Sequence, residues 1–267
     1  MTQLKIALLQ ADSDPTTPEQ AMDALESEMA RAAGLGADVL VTPELYLSGY
    51  GNTAETLERA QHSGSPLLQS AAALAARYGV TLVLGYPERT KAGVFNSAAV
   101  FGTSGAVLYN YHKLNLPNDY ERSCFRRGQP PEIFDIAGVR CAILICYDIE
   151  FPEMARRAAE MGAELLIIPT ALGQKWRIVS DSLIPVRAYE NGVFVAYCNF
   201  ASQSHPERFV GLSTICSPDG QPLLRAETSP GLFTATIETD HIRRVRSELN
   251  FLPDLAFMRA AHPVRET

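Results

Sequence analysis

Residues 139–153 read VRCAILICYDIEFPE, and this stretch indicates the fold of the chain. It contains a nearly continuous apolar run, Ala142–Cys146, which is typical of a strand buried on both faces of a sheet. Pro152 then opens a segment rich in alanine that ends at Gly162, and both features are typical of a helix. A buried strand that leads directly into a helix is characteristic of layered α/β proteins.

Similar apolar runs of strand length recur along the rest of the chain. We expect strands at Lys5–Gln10, Asp38–Leu45, Val80–Pro87, Asn96–Phe101, Ala106–Lys113, Val139–Tyr147, Glu164–Pro169, Val193–Asn199, Leu212–Ser217 and Leu232–Ile237. We expect helices at Thr17–Gly34, Leu67–Tyr78, Phe151–Met161 and Lys175–Asn191. Pro185 should kink or divide the last of these helices. Strands and helices alternate near both ends of the chain and strands dominate its middle, so the pattern predicts a layered α/β fold.

The sequence contains no linker rich in proline, glycine or serine, and no strong internal repeat. We therefore expect a single domain over residues 1–267, with an irregular tail from about Asn250 that lies over the body or over a partner subunit.

Composition and charge argue against several classes of function. The net charge of −7 argues against a nucleic-acid-binding surface, which would need clustered Lys and Arg. Apolar runs are too short to span a bilayer, and the first residues lack the pattern of a secretory signal, so we expect no membrane association. The five cysteines contain no Cys-x-x-Cys pair, which disfavours a zinc or redox centre. A reducing, cytoplasmic location is the default expectation.

Three polar residues stand where buried strands should reach the edge of a sheet. They are Glu44, Lys113 and Cys146. Ligand sites form at such strand ends, so the three could share one pocket. Taken singly, each has a plainer interpretation: a solvated loop acid, a surface base and a core cysteine.

Together, these three side chains make chemical sense. A thiol is only partly ionised at neutral pH and needs a base or a positive field to act as a nucleophile. A neighbouring carboxylate such as Glu44 can take the proton and later donate it to a leaving amine. An ammonium such as that of Lys113 can stabilise an oxyanion, and a helix beginning after Cys146 adds free N–H groups.

The sequence resembles the nitrilase, or carbon–nitrogen hydrolase, superfamily. The motifs that carry the resemblance are Pro43-Glu44, His112-Lys113, Cys146-Tyr-Asp-Ile-Glu-Phe-Pro-Glu153, Gly85-Tyr-Pro-Glu88, Phe95-Asn-Ser-Ala98, Arg127-Gly128, Pro169-Thr-Ala171 and Arg187-Ala-Tyr-Glu-Asn191. The resemblance implies a four-layer αββα sandwich with the active site between the sheets. It also implies Glu44 as general base, Lys113 as an oxyanion-stabilising residue and Cys146 as nucleophile. The backbone N–H of Tyr147 would complete the oxyanion hole, and no metal or organic cofactor is needed.

The family often has a second catalytic glutamate, and Glu121 is the matching residue. We expect it to hold Lys113 or to orient substrate; the alternative is a surface ion pair with Arg122 or Arg126.

The other thiols are weaker candidates for the nucleophile. Cys141 should face the opposite side of the strand from Cys146, Cys198 and Cys216 lie in apolar strands, and Cys124 could line the mouth of the pocket. His112 should point away from Lys113, which makes a Cys–His dyad the weaker mechanism.

The residues around the cysteine resemble those of aliphatic amidases more than those of true nitrilases. Carbamoylases for amino acids place arginines shortly after the cysteine, where this chain has Ile149 and Glu150. We therefore expect a neutral or amine-bearing amide as substrate, although Glu150 could equally serve a helix dipole. Trp176 could form an apolar wall of the pocket or pack at a subunit interface, and Phe200–Arg208 lies in a region that shapes the pocket in relatives.

Two alternatives stay open at this point. One is a nitrilase or N-carbamoyl amide hydrolase that uses the same three residues, and the other is a non-catalytic binding member of the family, against which the intact Glu44, Lys113 and Cys146 argue. The resemblance further implies a homodimer or higher homo-oligomer that assembles through helices at Glu153–Gly162 and Asp181–Asn191.

Overall fold

The computed structural model describes residues 2–13, 17–202 and 208–261. The strands are β1 (Gln3–Gln10), β2 (Val39–Val41), β3 (Thr81–Thr90), β4 (Gly93–Phe101), β5 (Val107–His112), β6 (Phe134–Ile136), β7 (Val139–Ile143), β8 (Leu165–Thr170), β9 (Phe194–Asn199), β10 (Thr214–Cys216), β11 (Pro222–Arg225) and β12 (Gly231–Glu238). The helices are α1 (Pro18–Gly34), α2 (Thr53–Glu58), α3 (Pro66–Tyr78), α4 (Asp119–Cys124), α5 (Pro152–Glu160), α6 (Ile184–Asn191), α7 (Asp240–Glu248) and α8 (Phe251–Ala261).

These strands form two six-stranded mixed sheets. Their orders are β12-β1-β2-β3-β4-β5 and β11-β10-β9-β8-β7-β6. In the first sheet β1, β2 and β3 run parallel, and in the second β7, β8 and β9 do so. One apolar core lies between the sheets and includes Ile6, Val41, Ile143 and Ile167, all fully buried. The amide of Glu44, just after β2, donates to the carbonyl of Thr170 at the end of β8, and β8 runs parallel to β7, so the carboxyl ends of these strands lie in one region.

Helices cover the outer face of each sheet. Helices α1 and α3 pack on the first sheet through one apolar cluster, and α5 and α6 pack on the second through another. Their starts follow from local sequence: Thr17 and Ser65 cap α1 and α3, and each cap is followed by proline in the first turn. The predicted four-layer αββα sandwich is thus confirmed, and the structure shows why the central strands lack polar residues.

Several predicted elements differ from the observed ones at their ends. The strand before the cysteine ends at Ile143, before the predicted Tyr147, because the chain turns there into a short 3₁₀ segment, Cys146–Glu150. The predicted helix Lys175–Asn191 is divided, as its proline suggested: a π-helical turn at Val179–Leu183 precedes α6, which has Pro185 in its first turn.

The prediction of an irregular tail from Asn250 is wrong. Residues Phe251–Ala261 form α8, and the amide of Asp254 donates to the carbonyl of Asn250 to begin it. Pro253 lies in the first turn, where its missing N–H costs no helical hydrogen bond. Leucine, alanine, methionine and arginine, which have high helix propensity, make up most of the segment that follows.

Helix α6 carries exposed apolar side chains on the outside of the sandwich. Val186 is 46% exposed and Tyr189 is 40% exposed. Assembly of subunits through this helix and α5 stays a prediction. Among the described residues, the helices are all too short or too polar to cross a membrane.

Candidate active site

Glu44 lies three residues beyond β2, on a loop that bridges the two sheets. Its backbone N–H donates to the carbonyl of Thr170 at the end of β8, and the next residue, Leu45, has a φ of 54°. Gly85 on β3 allows this loop to approach closely, because a Cβ there would stand 2.2 Å from the carbonyl oxygen of Pro43. The side chain of Glu44 is fully buried as a result.

Lys113 follows β5 directly and is also fully buried. Its Nζ donates to Glu44 Oε1 at 2.6 Å and to Glu121 Oε1 at 2.7 Å. Asn96 on β4 holds Lys113 and Glu44 together. Its backbone carbonyl accepts from the Lys113 amide, and its Nδ2 donates to Glu44 Oε1 at 2.7 Å. Gly128 is required behind this segment, since a Cβ would stand 2.0 Å from the His112 carbonyl oxygen.

The two carboxylates keep the ammonium of Lys113 charged. Burial lowers the pKa of this lysine, but Glu44 and Glu121 outweigh the burial and hold its pKa well above the ordinary value. For Glu121, burial raises the pKa and the neighbouring Lys113 partly offsets the rise. An ion pair in this environment is costly to break, because removal of one member leaves an uncompensated buried charge.

Glu121 is not a surface residue. It is fully buried in α4, and its hydrogen bonds go to Lys113 and to the hydroxyl of Tyr50. The alternative ion pair with Arg122 or Arg126 is absent from the described contacts of Glu121; Arg122 instead pairs with Asp119. The structure therefore places Glu121 beside Lys113.

Cys146 begins the turn after β7 with a left-handed backbone, at a φ of 47°. Such a φ is strained for a residue with a Cβ, and strained backbone of this kind clusters at functional sites. At this turn the alternation of side chains between the two faces of the strand stops. Cys141 and Cys146 both contact the core between the sheets, so the expectation that they face opposite sides is wrong. Cys146 is a half-buried residue that lines a pocket.

A buried carboxylate, Asp148, holds this turn in place. It accepts hydrogen bonds from the Ile145 amide at 3.1 Å, from the Tyr111 hydroxyl at 2.9 Å and from the amide and side chain of Asn115 at 2.9 and 3.0 Å. Asn115 lies two residues after Lys113, so one carboxylate joins the cysteine turn to the lysine segment.

Replacement of Asp148 by alanine should therefore destabilise the fold and the site together. Four donors lose their acceptor in a buried place, so we expect Asp148→Ala to lower the free energy of unfolding by about 2–4 kcal/mol. Urea denaturation measures the change, with Asp23→Ala on the exposed face of α1 as control. A loss no larger than that of the control would contradict this role.

The electrostatics of the pocket keep the thiol protonated at rest. Burial raises the pKa of Cys146 well above its ordinary value, the carboxylate of Glu44 raises it further, and Lys113 acts in the opposite direction. A thiol in this state needs an adjacent base. Glu44 offers one, because its Oε2 is buried without a hydrogen-bond partner among the described residues while Oε1 is held by Lys113 and Asn96.

The pocket above Cys146 has a volume of about 880 Å³. Tyr147, Glu150 and Trp176 line it, as do Lys175 and Arg208. Burial raises the pKa of Glu150. Trp176 is 55% exposed and lies under the ammonium of Lys175, 4.8 Å from the ring centroid. Of the segment Phe200–Arg208, residues 203–207 lie outside the described residues.

The remaining thiols and His112 lie away from this pocket. Cys141, Cys198 and Cys216 are buried in apolar strands. The expectation that Cys124 lines the pocket mouth is wrong, because it packs in a small apolar cluster under α4. The ring of His112 turns away from Lys113 and contacts Glu88, with its Nε2 2.7 Å from the carboxylate.

Comparison with known proteins identifies the family of this chain. Residues 5–247 match the model of the carbon-nitrogen hydrolase family. The chain belongs to this family. An (R)-stereoselective amidase from a Pseudomonas species is 31% identical over 96% of this chain and 92% of its own. A hydrolase from the pqqF 5′ region of Pseudomonas protegens is 34% identical over 94% and 88%.

A solved structure of an amidase is also similar to this chain. The crystal structure of an amidase from Nesterenkonia sp. superposes with a TM-score of 0.81 at 33% identity, covering 92% of this chain and 95% of that one. A variant of that amidase is complexed with butyramide, and another carries the acetamide moiety of fluoroacetamide added covalently at the active-site cysteine. This chain is therefore an amidase-type carbon–nitrogen hydrolase.

Sequence reasoning missed three residues that organise the site. Asp148 stands between apolar residues, and a lone acid in such a run is a sign of a buried, bonded carboxylate. Asn96 lies inside the motif Phe95-Asn-Ser-Ala98, in which the sequence alone gives the amide no partner. Tyr50 is flanked by Gly49 and Gly51, a turn pattern that gives no hint of its contact with Glu121.

Proposed function

We propose that this protein hydrolyses a small aliphatic amide to the acid and ammonia through a thioester on Cys146. The observation that carries the proposal is that the two oxygens of Glu44 differ in their hydrogen bonding. One oxygen is fixed by Lys113 and Asn96, and the other is buried without a partner among the described residues. A fixed carboxylate with one free oxygen is suited to accept and return a proton.

The acylation half-reaction follows from these groups. The Cys146 thiol passes its proton to Glu44 as the sulfur attacks the amide carbonyl. The oxyanion that forms is stabilised by Lys113, which uses two of its three N–H groups on Glu44 and Glu121, and by the backbone N–H of Tyr147. Glu44 then donates the proton to the nitrogen, the C–N bond breaks, and ammonia leaves a thioester behind.

In the second half-reaction Glu44 takes a proton from water as the oxygen attacks the thioester. The tetrahedral intermediate collapses, the C–S bond breaks, and the thiol regains its proton as the acid leaves. Glu121 acts in both halves by holding Lys113 in place.

The preference for a neutral or amine-bearing chain rests on the pocket. Glu150 lines it and would meet an amine, and the pocket holds chains larger than a few carbons. The butyramide complex of the Nesterenkonia amidase variant supports a small aliphatic substrate. A nitrile or an N-carbamoyl amide would use the same thiol and base, so each stays an alternative.

Ammonia release over a panel of amides tests the proposal. The panel contains aliphatic, ω-amino, ω-carboxy and aromatic amides and the matching nitriles and N-carbamoyl compounds. We expect the highest kcat/KM on aliphatic or ω-amino amides, with Cys124→Ala, which lies outside the pocket, as active control. Faster turnover of nitriles, or carbon dioxide released with ammonia from N-carbamoyl compounds, would favour the alternatives. No ammonia from any compound would contradict the hydrolase proposal.

A further inference from the structure

Tyr50 contacts the substrate pocket with one part of its side chain and the Lys113–Glu121 pair with another. Tyr50 lines the pocket above Cys146, and its hydroxyl donates to Glu121 Oε1 at 2.7 Å. That oxygen is the one that also accepts from Lys113. Glu121 Oε2 is buried with no partner among the described residues, so Lys113 and Tyr50 supply the side-chain donors seen at this carboxylate.

The position of Tyr50 is fixed from several sides. Asn118 Nδ2 donates to its hydroxyl oxygen at 2.8 Å, so the hydroxyl proton is directed at Glu121. The ring packs edge-on against Tyr120, with centroids 4.9 Å apart, and against Phe209 at 6.3 Å. Its backbone carbonyl accepts from Arg208 at 2.6 Å.

The hydroxyl is a permanent donor. Burial raises the pKa of Tyr50 far above its ordinary value, and the negative charges of Glu44 and Glu121 raise it further. The hydrogen bond in turn favours the ionised form of Glu121 and opposes the effect of burial on that carboxyl.

We propose that Tyr50 is a positioning residue for hydrolysis: it holds the carboxylate of Glu121 in place, and through Glu121 it sets the position of the Lys113 ammonium beneath the bound amide. The inference rests on the proposed function. Because the same residue forms the wall of the pocket, a substrate chain in the pocket packs against the group that orients the oxyanion-stabilising lysine.

The charged and titratable groups around Glu121 fix the expected pH dependence. They are Lys113, Glu44, Tyr50 and, more weakly, the thiol of Cys146. Tyr50→Phe removes a hydrogen bond to the ionised carboxylate, so the pKa of Glu121 rises further. Glu121 then takes up its proton at a higher pH, and activity on the acid side is lost at a higher pH than in the wild type.

Steady-state ammonia release by Tyr50→Phe tests the inference. We expect kcat to fall about 10-fold with KM changed less than about 2-fold, and the acid limb of the kcat profile to move to higher pH. Tyr120→Phe is the matched control: its ring packs on that of Tyr50, but its hydroxyl bonds to Thr56, away from Glu121. An unchanged kcat with a raised KM in Tyr50→Phe would overturn the proposal.

A double-mutant cycle separates action through Glu121 from a general packing effect. In a Glu121→Gln background the charge that Tyr50 supports is gone, so Tyr50→Phe should lower kcat less than about 2-fold further. An undiminished loss in that background would also overturn the proposal.

A measurement without turnover keeps this test independent of the proposed function. The rate of alkylation of Cys146 by iodoacetamide is followed against pH, and the inflection caused by Glu121 should move to higher pH in Tyr50→Phe but not in Tyr120→Phe. Failure of the wild type to release ammonia would contradict the amide hydrolysis alone. An alkylation profile that Tyr50→Phe leaves unchanged would contradict the role of Tyr50 alone.

Discussion

Cys146→Ala should release no measurable ammonia from an amide that the wild type hydrolyses. Loss of a covalent nucleophile removes the whole acyl-enzyme route, so we expect kcat/KM to fall by at least about 10⁴-fold. The fold should persist, because alanine is as small as cysteine and meets the same backbone constraint at a φ of 47°. We expect the free energy of unfolding to change by less than about 1 kcal/mol.

The measurement combines ammonia release with urea denaturation of the same preparation. Cys124→Ala is the matched control, since Cys124 is buried in a separate apolar cluster and should keep activity. Activity retained in Cys146→Ala, or lost only in Cys124→Ala, would show that Cys146 is not the nucleophile.

Lys113→Met is expected to damage both catalysis and stability. The variant keeps most of the volume of the side chain but leaves Glu44 and Glu121 buried without their cation. We expect the free energy of unfolding to fall by about 3–5 kcal/mol near neutral pH. Turnover should fall by at least about 10²–10³-fold, because the oxyanion loses its charged donor.

The stability deficit of Lys113→Met should depend on pH in a defined direction. Without Lys113 nothing opposes the effect of burial on the pKa of Glu121 as strongly, so this carboxyl binds a proton more readily in the folded than in the unfolded chain, and lowering the pH reduces the deficit of the variant. Urea denaturation at pH 8 and pH 5 compares the deficits, with the exposed Lys91→Met as control. A deficit that stays constant or grows toward pH 5 would contradict a buried ammonium shared by two carboxylates.

The sequence pattern was sufficient to predict a layered α/β fold and the strand-end residues. Apolar runs such as Ala142–Ile145 and Leu165–Ile168 are typical of strands buried on both faces, and such strands need a covering layer on each side. The second sheet between the helix layers was implied by the resemblance to the nitrilase superfamily. Glu44 and Lys113 could be expected together because each follows a strand of the first sheet, and the structure joins them by a 2.6 Å hydrogen bond.

Other features depend on single backbone angles and on long-range contacts, and the spacing of apolar residues in the sequence predicts neither. The shared side of Cys141 and Cys146 results from the left-handed φ of the latter, which no alternation rule predicts. The contact of Tyr50 with Glu121 joins residues 71 positions apart through a loop without regular structure. Helix α8 buries none of its residues, so it has no apolar face whose period would identify it as a helix in the sequence.

The most direct test of the account is to find where the acyl group resides during turnover. Wild-type protein is mixed with a good amide substrate, quenched in acid and digested, and the peptides are weighed by mass spectrometry. We expect the mass of the acyl group on the peptide that contains Cys146, and no such mass in Cys146→Ala. An acyl group on Cys124, or turnover with no acylated cysteine at any time point, would contradict this expectation.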